Sequence, residues 1–196
     1  MKNGIAIRGI VFSALFGALL VVLSFLKIDL GFTPVPIAME TMGVMLAGAF
    51  LGARYGFISI LTVAVLTALG VPLLGGQGGI GLILGPTGGF IWMFPISACF
   101  IGLCAEKIKG GGPMAAGKMF LAIFLFGSLL LYVSGVPWLA YKLHVGIGKA
   151  LVLGCYPFLP GDLLKAVVTT AIVMPIRRVY PVWKLVGSAE AQVAKF

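Results

Sequence analysis

Pro160-Gly161-Asp162-Leu163-Leu164-Lys165-Ala166-Val167-Val168-Thr169-Thr170-Ala171-Ile172-Val173-Met174-Pro175-Ile176-Arg177-Arg178 sets an acid and a base at the head of an apolar run that two arginines close. A run of this length and apolarity reads as a helix crossing a bilayer. On insertion scales an ionised Asp or Lys deep in such a helix costs about 2.5–3.5 kcal/mol, so such residues usually face a bundle interior and mark a polar ligand or ion. A second reading of the same residues stays open. Asp162 follows Pro160-Gly161 and suits a helix N-cap or first turn, where carboxylates are favoured. Lys165 shares its helix face three residues on, and the two then form a self-satisfied pair at the membrane boundary.

The whole chain has the same character. Its 196 residues are 61% hydrophobic and only 10% charged, with a mean hydropathy of +1.17, whereas soluble domains carry about 25% charged residues. The chain reads as an all-α integral membrane bundle forming one domain over residues 1–196. Its net charge of +9 is spread as punctuation between apolar runs, without the basic stripe and interleaved aromatics of a nucleic-acid surface. Cys99, Cys104 and Cys155 have neither C-x-x-C spacing nor a partner His, so neither a disulfide framework nor a metal site is expected.

Six spans are expected, at about 9–26, 37–53, 55–69, 88–105, 119–134 and 161–176. No Ala-x-Ala-like cleavage site follows the first, which therefore reads as a retained helix. Within it Ala14 and Ala18 form a small-x-x-x-small ridge that lets another helix approach, or that serves internal packing. The loop before the second span holds Thr33-Pro34-Val35-Pro36, and Glu40 enters near that span's start. Arg54 marks the turn into the third. The fifth is followed by an aromatic connection over 135–159, with a short interfacial helix expected near 147–154. Ten of the fourteen basic residues fall on the side of the termini. The positive-inside rule then makes both termini cytoplasmic and puts the proline loop, the aromatic connection and Asp162/Lys165 at the outer face.

Between the third and fourth spans lies Gly75-Gly76-Gln77-Gly78-Gly79-Ile80-Gly81-Leu82-Ile83-Leu84-Gly85-Pro86-Thr87-Gly88-Gly89. Backbone this rich in glycine is tolerated at membrane depth only when packed on protein or lining a cavity. It offers close approach and backbone hydrogen bonds to a small ligand. Asp162 can accept from ligand N–H groups, Lys165 can donate to a carbonyl or carboxylate, and aromatics can enclose an apolar body. Catalytic chemistry has no such support. Gly112-Pro113-Met114-Ala115-Ala116-Gly117-Lys118-Met119 fits G-x-x-x-x-G-K but ends in Met where a hydroxyl must meet magnesium. No nucleophile elbow, zinc-protease motif or paired-carboxylate constellation appears, and His144 has no second candidate ligand beside it.

Taken together, Pro34-Val35-Pro36-Ile37 with Glu40-Thr41, the Gly-Gly-x-Gly-Gly run before Leu84-Gly85-Pro86-Thr87-Gly88-Gly89-Phe90, and Pro160-Gly161-Asp162-Leu163-Leu164-Lys165 closely resemble the BioY family. These are biotin-binding S components of energy-coupling factor (ECF) transporters. The resemblance implies a six-helix, multi-pass subunit of the bacterial cytoplasmic membrane. Such a subunit captures biotin at its outer face and needs no cofactor, while a transmembrane coupling subunit and two ATPase subunits supply the engine. It implies that Asp162 and Lys165 contact the biotin head group, with Thr41, Gln77, Gly85, Thr87, Gly88, Gly89 and Phe90 around the site, and it places Ala14 and Ala18 against the coupling subunit. Two positions depart from the pattern: the family usually has Gln where this chain has Glu40, and Tyr where it has Phe90. An ionised Glu40 near the pocket would repel the valerate carboxylate, so the expectation is that Glu40 faces another helix or is protonated. Rival readings are an S component for thiamin or riboflavin, a membrane assembly subunit without a ligand site and, third, a membrane enzyme.

Overall fold

The structure, a computed structural model, describes residues 7–28, 31–35 and 37–187. Pro36 of the proline loop, and Lys2 and Lys195 of the charge tally, lie outside them. The elements in chain order are α1 Ile7–Ser24, β1 Lys27–Ile28, β2 Ile37–Ala38, α2 Glu40–Ala68, α3 Ile80–Ile83, α4 Gly88–Lys107, α5 Pro113–Phe124, a π-helical turn Leu125–Leu129, α6 Leu130–Leu143, α7 Ile147–Gly154, α8 Leu159–Val179 and α9 Val182–Val186. Among the described residues five continuous helical stretches are long and apolar enough to cross a membrane: α1, α2, α4, Pro113–Leu143 and α8. Helices answer the demand of lipid that every backbone N–H and C=O be satisfied within the segment. A ladder of two residues, β1 paired antiparallel to β2, ties the proline loop to the end of α1.

α2 consists of two helical arms joined at a kink. Gly52 breaks it with φ 76 and ψ −174, and the chain doubles back, since a Cβ on Gly56 would sit 3.1 Å from Gly48 Cα. The break falls two residues before Arg54, at a left-handed φ that L side chains avoid and glycine takes freely. Glu106 of α4 then caps the second arm, its Oε1 accepting the freed N–H of Ala53 at 2.8 Å. Gly52→Ala is therefore expected to destabilise the bundle by about 1–3 kcal/mol, because a methyl there also meets Glu106 Oε1 and Val182. Thermal unfolding in detergent measures it.

The long helices are apolar on both sides, as lipid requires. On α1, Ser13, Gly17, Leu20 and Ser24 are buried, while Ile10, Val11, Leu15, Leu19 and Val22 are exposed. Gly17 and Ser13 pack against the second arm of α2, where Ser59 Oγ donates to Ser13 O at 2.7 Å. Ala14 and Ala18 face outward, exposed.

The fifth helix differs most from the sequence reading, which ends it at 134. The structure continues it to Leu143, through Gly135 and Pro137. Gly135 does not stop the helix; it makes room, because the ring of Phe90 occupies the position its Cβ would take. Trp138 and Tyr141 therefore ride on α6 rather than in a loop. Helix α8 likewise outruns its expected bounds of 161–176 at both ends.

Candidate functional site

The start of α8 is built to hold its charges inward. Pro160 occupies the first turn, where a missing N–H costs nothing, and Asp162 N bonds Phe158 O at 2.9 Å. Asp162 and Lys165 are 6% and 7% exposed, and Lys165 Nζ lies 3.0 Å from Asp162 Oδ1. The ammonium spends all three protons: on Asp162, on Ala38 O at 2.7 Å and on Thr41 Oγ1 at 3.0 Å. Tyr132 OH of α6 donates to Asp162 Oδ2. A buried ion pair is tolerated when its desolvation is offset by complete hydrogen bonding, and this one is complete.

That cluster forms one wall of a cavity of about 700 Å³, a size suited to a small organic molecule. Apolar surface comes from Phe90, Ile91, Phe94, Leu131 and Phe158, and glycine backbone from Gly75, Gly76, Gly78, Gly81 and Gly85. Phe90 stands edge-to-face to Tyr132 at 6.3 Å between ring centres, so the aromatic wall and the charged cluster are in contact. Glycine meets its structural requirement in the turn Leu74–Gln77, where Gly75 and Gly76 have φ 58 and 75. Gly75 N donates to Ser24 Oγ at 2.8 Å, which fastens this turn to the end of α1. Across the cavity, Thr33 Oγ1 donates to Leu153 O at 2.6 Å and fastens the proline loop to α7.

Most of the residues expected at the site meet here. Thr41, Gln77, Gly85, Thr87, Phe90, Asp162 and Lys165 all line the cavity. Gly85 lends less than expected, because its carbonyl already accepts from Trp138 Nε1 at 2.8 Å. Gly88 and Gly89 are not among the lining residues. A Cβ on Gly88 would strike Ile83 O and one on Gly89 would strike Trp138, so both are small to seat α4 against its neighbours. Glu40 lines the cavity too, rather than facing another helix.

Sequence reasoning missed Tyr132, Ser24 and Lys27. Tyr132 carried a signal, a lone hydroxyl inside the apolar run Leu129-Leu130-Leu131-Tyr132-Val133, which only a polar partner such as Asp162 explains. Ser24 and Lys27 carried none, since their place depends on how the glycine turn folds back over α1. No group of three or more metal-ligating side chains occurs among the described residues.

Comparison with known proteins agrees with this architecture. The BioY family model matches residues 1–182. A biotin transporter BioY from Rhizobium etli is 40% identical over 181 residues, covering 89% of this chain and 95% of that one. A probable biotin transporter BioY from Pyrococcus horikoshii is 41% identical over 165 residues, covering 84% and 91%. The crystal structure of the S-component for biotin from an ECF-type ABC transporter superposes with a TM-score of 0.82 at 33% identity, covering 92% of this chain and 98% of that one. With the motifs, the fold and both coverages in agreement, this chain belongs to the BioY family.

Proposed function

We propose that this chain captures biotin in the cavity beside Asp162 and Lys165 and is the substrate-binding S component of an ECF-type transporter. One observation carries the reading. A buried, fully hydrogen-bonded Asp–Lys pair forms one wall of a cavity otherwise lined by aromatics and glycine backbone, in a chain whose relatives are biotin transporters. Biotin matches such a wall: its ureido ring has two N–H donors and a carbonyl, and its thiolane ring and side-chain methylenes are apolar. Asp162 can accept a ligand N–H on a remaining lone pair without losing Lys165 or Tyr132. Lys165 has no spare proton, so a ligand carbonyl must take the place of Ala38 O or Thr41 Oγ1. Capture is thus an exchange of hydrogen bonds and leaves no buried charge unpaired.

The chain is a multi-pass membrane protein and not an enzyme. On our reading the two arms of α2 count as separate spans, giving six, with both termini cytoplasmic and the cavity at the outer face, as the basic residues favour. A coupling subunit and two ATPases drive release, and Ala14 and Ala18 meet the coupling subunit on the exposed side of α1.

Isothermal titration calorimetry of biotin into the detergent-solubilised chain, with thiamin and riboflavin alongside, tests the substrate. Saturable binding of biotin alone is expected. A ligand-free preparation that ignores biotin, or prefers either other vitamin, would overturn the assignment.

A further inference from the structure

Two charged groups on the cavity lining, Glu40 and Lys27, take no part in capture by Asp162 and Lys165. Glu40 is the first residue of α2, and among the described residues its carboxyl has no hydrogen-bond partner. The other titratable groups on the lining are Lys27 on β1, Tyr132 on α6, and Asp162 and Lys165 on α8; the glycine segment and α4 contribute none. Cys155, after α7, is buried behind them. Lys27 and Lys165 are the two cations in electrostatic reach of Glu40.

Among the described lining residues two carboxylates face two ammonium groups, and their formal charges balance. An anionic ligand upsets that balance by one negative charge. A carboxylate held in this cavity of about 700 Å³ shares a partly desolvated space with Glu40, where like charges are screened less than in bulk water. The surplus charge is relieved most cheaply by a proton. Asp162 is a poor place for it, because its ionised form is held by the Lys165 ammonium and the Tyr132 hydroxyl, and a proton would weaken both bonds. Tyr132 and Lys165 already hold their protons in bonds to Asp162. Of the described lining residues, Glu40 alone is free to take one.

We infer that Glu40 makes capture by this chain proton-linked: an anionic ligand enters together with one proton from solvent, carried on the Glu40 carboxyl. Neutralised, Glu40 also becomes a donor and can hydrogen-bond the ligand carboxylate it would otherwise repel. The inference rests on the biotin reading, since biotin is an anion at neutral pH. It distinguishes ligands by their charge: a neutral analogue needs no proton.

The linkage has a definite sign. If binding takes up a proton, affinity falls as pH rises through the range in which free Glu40 ionises, with a limit of tenfold per pH unit for one proton. Calorimetry on the full chain from about pH 6 to about pH 8.5, where the biotin carboxylate stays ionised, should show the biotin Kd weakening by about tenfold or more. Titrations in two buffers of different protonation enthalpy should give an uptake approaching one proton per biotin. Glu40→Gln, which keeps shape and removes the titration, should give a flat profile and no proton uptake. Biotin methyl ester should give a flat profile with wild-type chain. A wild-type profile as flat as that of E40Q overturns the linkage while leaving biotin capture standing. An E40Q profile as steep as wild type assigns the proton elsewhere and overturns it too. Absence of biotin binding at every pH removes the substrate reading and this inference with it.

Discussion

Lys165→Met is expected to abolish biotin binding. The substitution takes an ammonium from three acceptors at once and leaves Asp162 a buried carboxylate whose partner among the described side chains is the Tyr132 hydroxyl. Removing one member of a buried ion pair costs about 3–5 kcal/mol, which, taken from binding at about 1.4 kcal/mol per decade, is about two to four orders of magnitude in Kd. Asp162→Asn should act in the same direction with a smaller effect, because an amide still accepts one hydrogen bond and keeps the shape. The size of the effect raises the question of whether the chain still folds. The double variant D162N/K165M answers it, since removing both charges restores the balance that each single change upsets. Its thermal stability should lie closer to wild type than that of K165M, while biotin binding stays lost. A double variant that recovers binding would return Asp162 and Lys165 to the helix-start role that the sequence leaves open.

That second role deserves its physical due, because the structure contains it. Asp162 does sit in the first turn of α8, and the i,i+3 pair does form. What the sequence could not show is that the pair points inward and is completed by Ala38, Thr41 and Tyr132 from three other parts of the chain. Charges inside an apolar run are legible because lipid penalises them; their partners are not, because partners are chosen by tertiary packing. Tyr132 shows the difference, an isolated hydroxyl in a leucine run that acquires meaning only once α6 lies beside α8.

Glycine shows a similar limit. The sequence reads the dense run 75–89 as a single backbone surface for a ligand, yet its glycines do several jobs. Gly75 and Gly76 supply left-handed turn geometry over the cavity, whereas Gly88 and Gly89 permit helix packing away from it. Gly135 looks like a helix stop beside Pro137 and is in fact the slot for Phe90. Arg54 marks the charged turn in the sequence, but the bend itself is made two residues earlier by Gly52, which takes φ 76. Apolar runs were legible as helices, but not always their extent, since the fifth stretch is Pro113–Leu143 and not 119–134. Where a helix bends or continues through glycine depended on which neighbour touched it.

Ala14→Leu combined with Ala18→Leu is expected to leave biotin binding intact and to abolish biotin uptake in cells that supply the partner subunits. The two alanines are exposed on α1, on the side away from the buried stripe Ser13, Gly17 and Leu20 that holds α1 to α2. Two leucines there add apolar surface to a face already lined with Leu15 and Val11, so they cost the isolated bundle little in lipid. A helix that must approach the ridge closely cannot do so over two isobutyl groups, because small residues are what permit backbone approach where no hydrophobic effect operates. The cavity lies among α2, α4, α6 and α8 and is reached by α1 only through Ser24 at its end, so the ligand site is insulated from the change. The measurement pairs calorimetry on the purified chain with labelled-biotin uptake and co-purification of the partners. Loss of uptake and co-purification with an unchanged Kd places the coupling surface on this ridge. Full uptake by the double variant would show instead that the alanines serve only the lipid-facing side of α1, and the search for the coupling surface would move to the exposed faces of α5 and α8.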